Sequence, residues 1–420
     1  MPSTKKPSPH RVPKDLAKPL RYWEAWIELD PVDGNRQRVP LRRKDKAACL
    51  QLIEDEWDRL KEHGDLPNAN QTVKQYLTYW LDKIAAKEVS PNTFTGYEVV
   101  CRKHIIPTIG NVRLSQVKAA HVRRVTDKML DNGASSTYAN NAHRIMSTAF
   151  ASAYSEGRMT RNPAKQTKAP RKAVPNLEVL TLDEAIHIVE VMARPEHAEL
   201  GARWVSSILT GGRRGEMIGL ERNRVDFEKN TLDLSWQLQR FAWKHGDVLT
   251  KELDDKGKPL HECGRKRGTD CPVRKLTHPA DYEIRPIVGG LYWTRPKSGA
   301  GRRSVPLVDP LRAILQRYIA DTPDNAYGLV WAPDGYPLDP DQDSNDWVDV
   351  LKACDIDKHV RLHDVRHTAV DMLYEAGVDE DLIPLIVGHS TRAMSRSYKS
   401  RGASKRLTEA MKKLSAPFIS

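Results

Sequence analysis

Two arginines, two histidines, a lysine and a tyrosine stand in contexts suited to chemistry on a phosphodiester. The C-terminal stretch reads His363-Asp364-Val365-Arg366-His367-Thr368, then Gly388-His389-Ser390, then Tyr398. His389 falls 26 residues after His363, and Tyr398 nine after His389. About 150 residues upstream lies Thr210-Gly211-Gly212-Arg213-Arg214-Gly215-Glu216, with Pro296-Lys297-Ser298 in between. Attack on phosphorus builds negative charge on the non-bridging oxygens. Guanidinium forks, always charged and able to bond bidentately, are suited to hold that charge, and Arg213 and Arg366 are the candidates. A tyrosine hydroxyl is a weak nucleophile near neutral pH and needs positioning and a base. Tyr398 is the candidate nucleophile, His363 the candidate base, and His389 a hydrogen-bond donor to a phosphate oxygen. This chemistry calls for no metal and no ATP. Fixed cations supply the stabilisation that Mg²⁺ supplies elsewhere, and a phosphotyrosyl bond conserves the energy of the broken linkage.

Singly, each residue has a plainer use. A lone histidine is more often structural, a basic pair such as Arg213-Arg214 is a solvated face, and Lys297 shares its stretch with Arg295, Arg302 and Arg303. The joint order and spacing change that. Together they resemble the tyrosine recombinase (phage integrase) family over about residues 70–400. The resemblance implies a catalytic set of Arg213, Lys297, His363, Arg366, His389 and Tyr398, with Lys297 giving the leaving 5′ oxygen its proton. It implies site-specific recombination through a 3′-phosphotyrosine and a Holliday junction, with four protomers on two double-stranded DNA sites. Core and arm-type sites, a host DNA-bending protein and an excisionase are the implied partners. Two motif positions depart from the usual pattern. Val387 stands where leucine commonly precedes Gly-His, and Gly212 replaces a commoner apolar residue. Two other readings stay open: a strand passer resembling the type IB topoisomerases, and a catalytically silent DNA-binding accessory protein.

The elements that must position these residues are legible in part. Gly211 and Gly212 mark a break before Arg213, which opens a helix ending near Leu220 with Glu216 as its anchor. Val365, Val370, Met372, Leu373 and Ala376 mark the buried side of a helix from near His363 to Gly377. Asp364 lies in its first turn, where the helix dipole favours a carboxylate. Leu382 to Val387 form a short helix ending at Gly388. Thr231 to Trp236 reads as a strand. Tyr292 to Pro296 reads as another, turning through Ser298-Gly299-Ala300-Gly301 into Arg303 to Leu307, so Lys297 sits at the hairpin. Thr181-Leu182-Asp183-Glu184 is a capping-box pattern opening this domain.

The expected fold is therefore multidomain. A flexible tail (1–20) precedes a small α+β arm-type DNA-binding module (21–66), with strands at 21–29 and 36–41, a turn at Asp33-Gly34-Asn35, and a helix ending at Gly64. An all-α, SAM-like core-binding bundle follows (70–162). In it, Val73, Tyr76, Leu77, Trp80, Leu81 and Ile84 make an amphipathic stripe, Ser90 and Pro91 open a helix, 107–110 is a turn, and 139–153 is a further helix. A linker (163–178) leads to a mixed α+β catalytic domain (179–420). That domain carries an insertion at 237–290 and an amphipathic tail helix at 404–415, which packs either on its own domain or on a neighbouring subunit.

Charge supports a polyanionic partner. The net charge is +12, and residues 101–173 hold fourteen Lys/Arg against three acidic residues. Candidate DNA contacts are Arg36, Arg38, Arg42, Arg43 and Lys44 in the first module. Arg102, Lys103, Arg123, Arg124, Arg144, Lys168, Arg171 and Lys172 follow in the bundle and linker. In the insertion, His261, Cys263, Cys271 and His278 are weak candidate zinc ligands. Their spacing is no standard knuckle, and the segment is read instead as a flexible or DNA-contacting loop around Gly264-Arg265-Lys266-Arg267-Gly268. Five scattered cysteines suggest reduced thiols in a cytoplasm. No apolar run approaches the length of a membrane span, and the N-terminus lacks the apolar core of a secretory signal. A bacterial cytoplasmic location, with no membrane partner, is expected.

Overall fold

The computed structural model describes residues 6–11, 22–32, 35–63, 71–173, 178–247, 249–253, 259–296, 302–388 and 401–419. The turn expected at 33–34, the Ser298–Gly301 turn, most of the 1–20 tail, and Lys297, His389 and Tyr398 lie outside these residues. The chain divides into two units, residues 1–174 with 277–279, and residues 175–276 with 280–420.

The first unit begins with a three-stranded antiparallel sheet of β1 (His10–Arg11), β2 (Trp23–Val32) and β3 (Asn35–Arg43), followed by helix α1 (Lys46–His63). His10 and Arg11 pair with Glu24 and Trp23, so part of the expected flexible tail is a strand. Alternation in β2 buries Ala25 and Ile27, and with Leu41 of β3 they close a small core against Cys49, Ile53 and Leu60 of α1. On the opposite face, Glu24 stands across from Arg42 and Glu28 across from Arg38. Both are cross-strand ion pairs. Arg42 also lies over the rings of Tyr22 and Trp26.

Next come α2 (Val73–Trp80), α3 (Ala86–Glu88), α4 (Pro91–Val100), α5 (Ile106–Ile109), α6 (Ala119–Asp131) and α7 (Ser136–Ser155). Thr72 and Gln75 form a capping box at α2. The i, i+3, i+4, i+7 spacing of Val73, Tyr76, Leu77 and Trp80 turns all four into the core. There Tyr76 Oη donates to Ala149 O (3.1 Å) and Trp80 Nε1 to Ser152 Oγ (3.2 Å). Pro91 is the first residue of α4, as expected. Pro107 differs: it lies inside α5, not in a turn. A π turn over Cys101–Ile105 precedes it, and that wider spacing accommodates a proline that cannot donate. The linker also starts later than expected. Pro163–Gln166 form a 3₁₀ turn with Pro163 and Ala164 buried. His143 Nε2 meets Thr167 Oγ1 at 2.9 Å, and Asn140 donates to Pro170 O (2.6 Å).

The second unit surrounds one large apolar core with α8 (Leu182–Met192), α9 (Gly201–Thr210), α10 (Arg214–Ile218), α11 (Leu311–Asp321), α12 (Pro340–Ala353), α13 (Val365–Glu375), α14 (Ile383–Val387) and α15 (Arg401–Ser415). Its strands are β4 (Val225–Asp226), β5 (Thr231–Asp233), β6 (Gln237–Arg240), β7 (Leu249–Leu253), β8 (Pro259–His261), β9 (Ile284–Val288), β10 (Leu291–Thr294) and β11 (Ser304–Pro306). They pair antiparallel as β11-β5-β4, β6-β10-β9 and β7-β8. Because β6 and β9 flank β10, the inserted lobe is narrower than 237–290 and spans about 241–283. The Thr181 capping box at α8 is present. The tail helix α15 buries Leu407, Ala410, Met411 and Leu414 in the core of its own unit.

Candidate active site

The site is built on one turn. Helix α9 ends at Thr210, and Gly211 caps it in the left-handed region at φ +56°. Thr210 Oγ1 accepts the Gly212 N–H (3.1 Å). A side chain on Gly211 would stand 3.1 Å from Ala369 Cβ of α13 and 3.2 Å from Val387 Cγ1 of α14. Glycine is required where three helices come this close.

Arg213 follows as the N-cap of α10. Its backbone N–H donates to Glu216 Oε2 (2.8 Å) and its Nη1 to Glu216 Oε1 (2.6 Å). Its Nη2 donates to Gly388 O at 2.5 Å. Glu216 is fully buried and is the anchor that the sequence suggested. Burial alone would raise its pKa, but Arg303 and Arg213 outweigh burial and hold the carboxyl below its usual range.

Arg366 comes from the buried face of α13, and its Nη1 donates to Gly211 O (3.0 Å). Burial first, then the charges of Arg213 and Arg303, push its pKa down to about 9, so it stays protonated at neutral pH. Arg213 and Arg366 thus bond the carbonyls of Gly388 and Gly211, the glycines that end α14 and α9. Two guanidiniums are concentrated where an anion would be bound.

Asp364 precedes α13 as its N-cap, fully buried, and its carboxylate takes a two-pronged bond from Arg361 (2.7 and 2.9 Å). His363 is exposed and lies 6.0 Å, ring to ring, from His367. Although part of the side chain reaches solvent, partial desolvation of its ring first, then Arg366, His367 and Arg213, lower its pKa below the usual 6.5. The shift favours the neutral imidazole, the form able to accept a proton.

One member escaped the sequence reading. Arg303 is buried, bonds both Glu216 oxygens (3.0 and 2.9 Å) and donates through Nε to Ile386 O (2.7 Å). It lies just before β11, and its residue type there gave no signal of burial. Tyr398, His389 and Lys297 are not among the described residues. Gly388, the last described residue before His389, has φ +72° and its carbonyl on Arg213.

The candidate DNA contacts Arg38, Arg42, Arg43, Lys44, Arg102, Lys103, Arg123, Arg124, Arg144, Lys168, Arg171 and Lys172 are all exposed. The Arg36 side chain lies outside the described residues. Arg102 pairs with Glu98 at 2.8 Å, and Arg144 donates to Asn141. The proposed zinc set is only half assembled. Cys263 and Cys271 converge, but with His245 and Asp247. His261 is adjacent to that cluster, and His278 Nδ1 instead faces Pro279 O at 2.7 Å.

Residues 72–130 match the model of the phage integrase N-terminal SAM-like domain, and residues 287–404 match the phage integrase family model. An "Integrase" from Saccharopolyspora erythraea is 29% identical over 398 residues, covering 90% of each chain. A "Tyrosine recombinase XerC-like" protein of Caldanaerobacter subterraneus subsp. tengcongensis is 22% identical over 353 residues, covering 83% of this chain and 84% of the relative. Among solved structures, the Tn1549 transposon integrase in complex with a circular intermediate DNA superposes with TM-score 0.58 at 19% identity, over 81% of this chain and 99% of that one. A lambda integrase tetramer bound to a Holliday junction gives TM-score 0.51 at 14% identity, over 90% and 92%. These structures share the fold. The chain belongs to the tyrosine recombinase (phage integrase) family. Its helical bundle is the SAM-like domain and its second unit the mixed α+β catalytic domain.

Proposed function

We propose that this protein is a site-specific DNA recombinase that integrates and excises a phage or mobile element. The observation that carries this reading is that Arg213 and Arg366, 153 positions apart in sequence, come near enough to act on each other's charge and bond the Gly388 and Gly211 carbonyls at two helix ends. In this mechanism Tyr398 Oη attacks the scissile phosphorus while His363 takes its proton. The bond from phosphorus to the 5′ oxygen breaks, Lys297 gives that oxygen a proton, and the strand end remains as a 3′-phosphotyrosine. Arg213, Arg366 and His389 hold the charge that develops on the non-bridging oxygens. Attack by a 5′ hydroxyl from the partner strand reverses the step and frees the tyrosine. Exchange of one strand pair at a time passes through a Holliday junction.

Double-stranded DNA is the partner, and four protomers act on two sites. The bundle's exposed arginines and lysines would track core-site phosphates, and the β2–β3 face would read arm-type sites. A host bending protein and an excisionase would set direction. No described helix is long and apolar enough to cross a membrane, which fits action on DNA in a bacterial cytoplasm. The decisive experiment is covalent trapping on a nicked suicide substrate carrying the attachment site, in EDTA, with Tyr398→Phe alongside. A denaturation-resistant adduct with the wild type alone supports the reading. Site-specific binding without any adduct would instead make the chain an accessory binder.

A further inference from the structure

The inserted lobe of the second unit lacks a core of its own. Among its described residues at 241–276 and 280–283, only Phe241 and Cys271 are buried apolar side chains. Yet its chain segments run in close contact. Gly246 lies on the Val273 carbonyl and Gly268 on the Trp243 carbonyl, each too close for a Cβ. Lys244 and Lys275 form a two-way backbone bridge at 2.9 Å. Phe241 and Trp243 meet Tyr282 and Tyr292 at its base, but so little apolar burial leaves room for a further cross-link between these segments.

At the centre of the lobe, four ligand-type atoms from three segments lie within 4.8 Å of one another: one each from His245, Asp247, Cys263 and Cys271. Cys263 Sγ is 3.3 Å from His245 Nδ1, Cys271 Sγ is 3.6 Å from Asp247 Oδ1, and His245 Nδ1 is 3.6 Å from Asp247 Oδ1. A tetrahedral ion with metal–sulfur bonds near 2.3 Å and metal–nitrogen or –oxygen bonds near 2.0 Å has ligand–ligand edges of about 3.3 to 3.8 Å. These three separations fall in that range, and the remaining pairs lie within 4.8 Å. The other carboxylate oxygen, Asp247 Oδ2, is held by the Cys263 backbone N–H (2.6 Å), as an outer-shell bond would hold a ligand. His261 stacks flat on His245 (3.7 Å, 6°), with its Nδ1 3.4 Å from Asp247 Oδ1.

We propose that His245, Asp247, Cys263 and Cys271 bind a structural zinc ion that staples this lobe. Two thiolates with an imidazole select a borderline-soft ion over Mg²⁺ or Ca²⁺. Four protein ligands close the coordination sphere, so the ion is structural and has no part in strand cleavage. Both cysteines bind as thiolates, so two thiol protons are released to solvent when the metal enters. The site replaces the weak His261–Cys263–Cys271–His278 candidate set of the sequence. Its His245 and Asp247 are invisible to that reading because they lie on the near side of the β7–β8 hairpin. The inference stands independently of the recombinase assignment.

The test uses the full-length protein. Elemental analysis of the purified chain should find one zinc per chain. The chelator-stripped protein titrated with Co²⁺ should show thiolate-to-cobalt charge transfer and the intense visible bands of four-coordinate cobalt. Cys263→Ser and Cys271→Ser should each lose both signals, while His278→Ala keeps them. If the cysteine variants fail to fold, Asp247→Asn and His245→Gln serve instead. Each should shift the visible bands while the thiolate band persists. Asp247→Asn shifting the bands and His261→Ala leaving them would fix the fourth ligand as proposed. Wild-type protein without zinc and without a cobalt–thiolate band would overturn the proposal. So would a Cys263–Cys271 disulfide, seen as a mass deficit of two hydrogens in the denatured chain, or zinc content indifferent to both cysteine variants.

Discussion

Glu216 and Arg303 are joined by two parallel hydrogen bonds, Nη1 to Oε1 at 3.0 Å and Nη2 to Oε2 at 2.9 Å, with both side chains buried. Arg213 shares the same carboxylate. One buried acid therefore sets the positions of two cations and ties α10 to the strand leading into β11. Through Arg303 Nε it also ties in the end of α14. Glu216 is a positioning residue, and its charge is committed to that pair.

Removing Glu216 should cost stability before it costs chemistry. Glu216→Ala leaves Arg303 buried and unpaired, a loss of about 3–5 kcal/mol, measured by urea unfolding. The double change Glu216→Leu with Arg303→Met should recover much of that loss, because it removes both charges together. The sign with pH follows from the depressed Glu216 pKa. The pair's contribution is fully present above the ordinary value of 4.5 and is lost as pH falls through the lower folded value. Glu216→Gln should flatten that acid limb of the stability curve. An unchanged limb would mean the carboxylate is not charged in the folded state.

His363 should set the acid limb of strand cleavage. Its pKa is lowered by desolvation and by Arg366, His367 and Arg213, so the neutral base persists below pH 6.5 and cleavage falls only under that value. His367→Gln removes one of the lowering charges and should move the limb upward towards 6.5. His363→Ala should abolish the limb and slow cleavage by about 10²-fold or more, the usual worth of a general base. A limb that stays in place in His363→Ala would assign it to another group.

The turns that place Arg213 and Arg366 were legible in the sequence because they are local motifs. Gly-Gly-Arg-Arg-Gly-Glu and His-x-x-Arg each declare a helix entry, and the structure places a helix start at both. Arg303 was not legible, since an arginine ahead of a short strand looks like any surface cation. Only its burial between Glu216 and Ile386 O distinguishes it. Pro107 misled for a related reason. A proline normally ends a helix, and the preceding π turn that absorbs it leaves no mark in residue type. The ligands of the inserted lobe failed by distance, because the hairpin of β7 and β8 brings His245 to Cys263 across 18 residues.

Gly211→Ala should cost far more than Gly377→Ala. Both glycines have positive φ, +56° and +64°. A methyl on Gly377 meets open space, whereas one on Gly211 presses on Ala369 and Val387. Strain alone costs about 1–2 kcal/mol at either position. At Gly211 the helices must also part, which displaces the carbonyl that Arg366 holds. Covalent adduct formation by Gly211→Ala should drop at least tenfold while site binding persists. Equal losses in both variants would indicate that backbone strain, and not packing against α13 and α14, decides the position.

The tail helix offers a test of where its apolar face belongs. Met411 and Leu414 of α15 are fully buried with Leu407 and Ala410 in the core that also holds Leu373 and Ile383. Arg406 adds exposed pairs to Asp379 and Asp381, and such pairs contribute little. Met411→Ala should therefore destabilise the isolated protomer by about 2–5 kcal/mol through lost burial and the cavity left behind. Arg406→Ala should change stability by less than about 1 kcal/mol. Because the packing lies within one chain, the urea midpoint of both variants should not depend on protein concentration. A tail seated on a neighbouring subunit would instead give a midpoint that rises with concentration, by mass action. That result would relocate α15 from its own domain to an exchange contact between protomers.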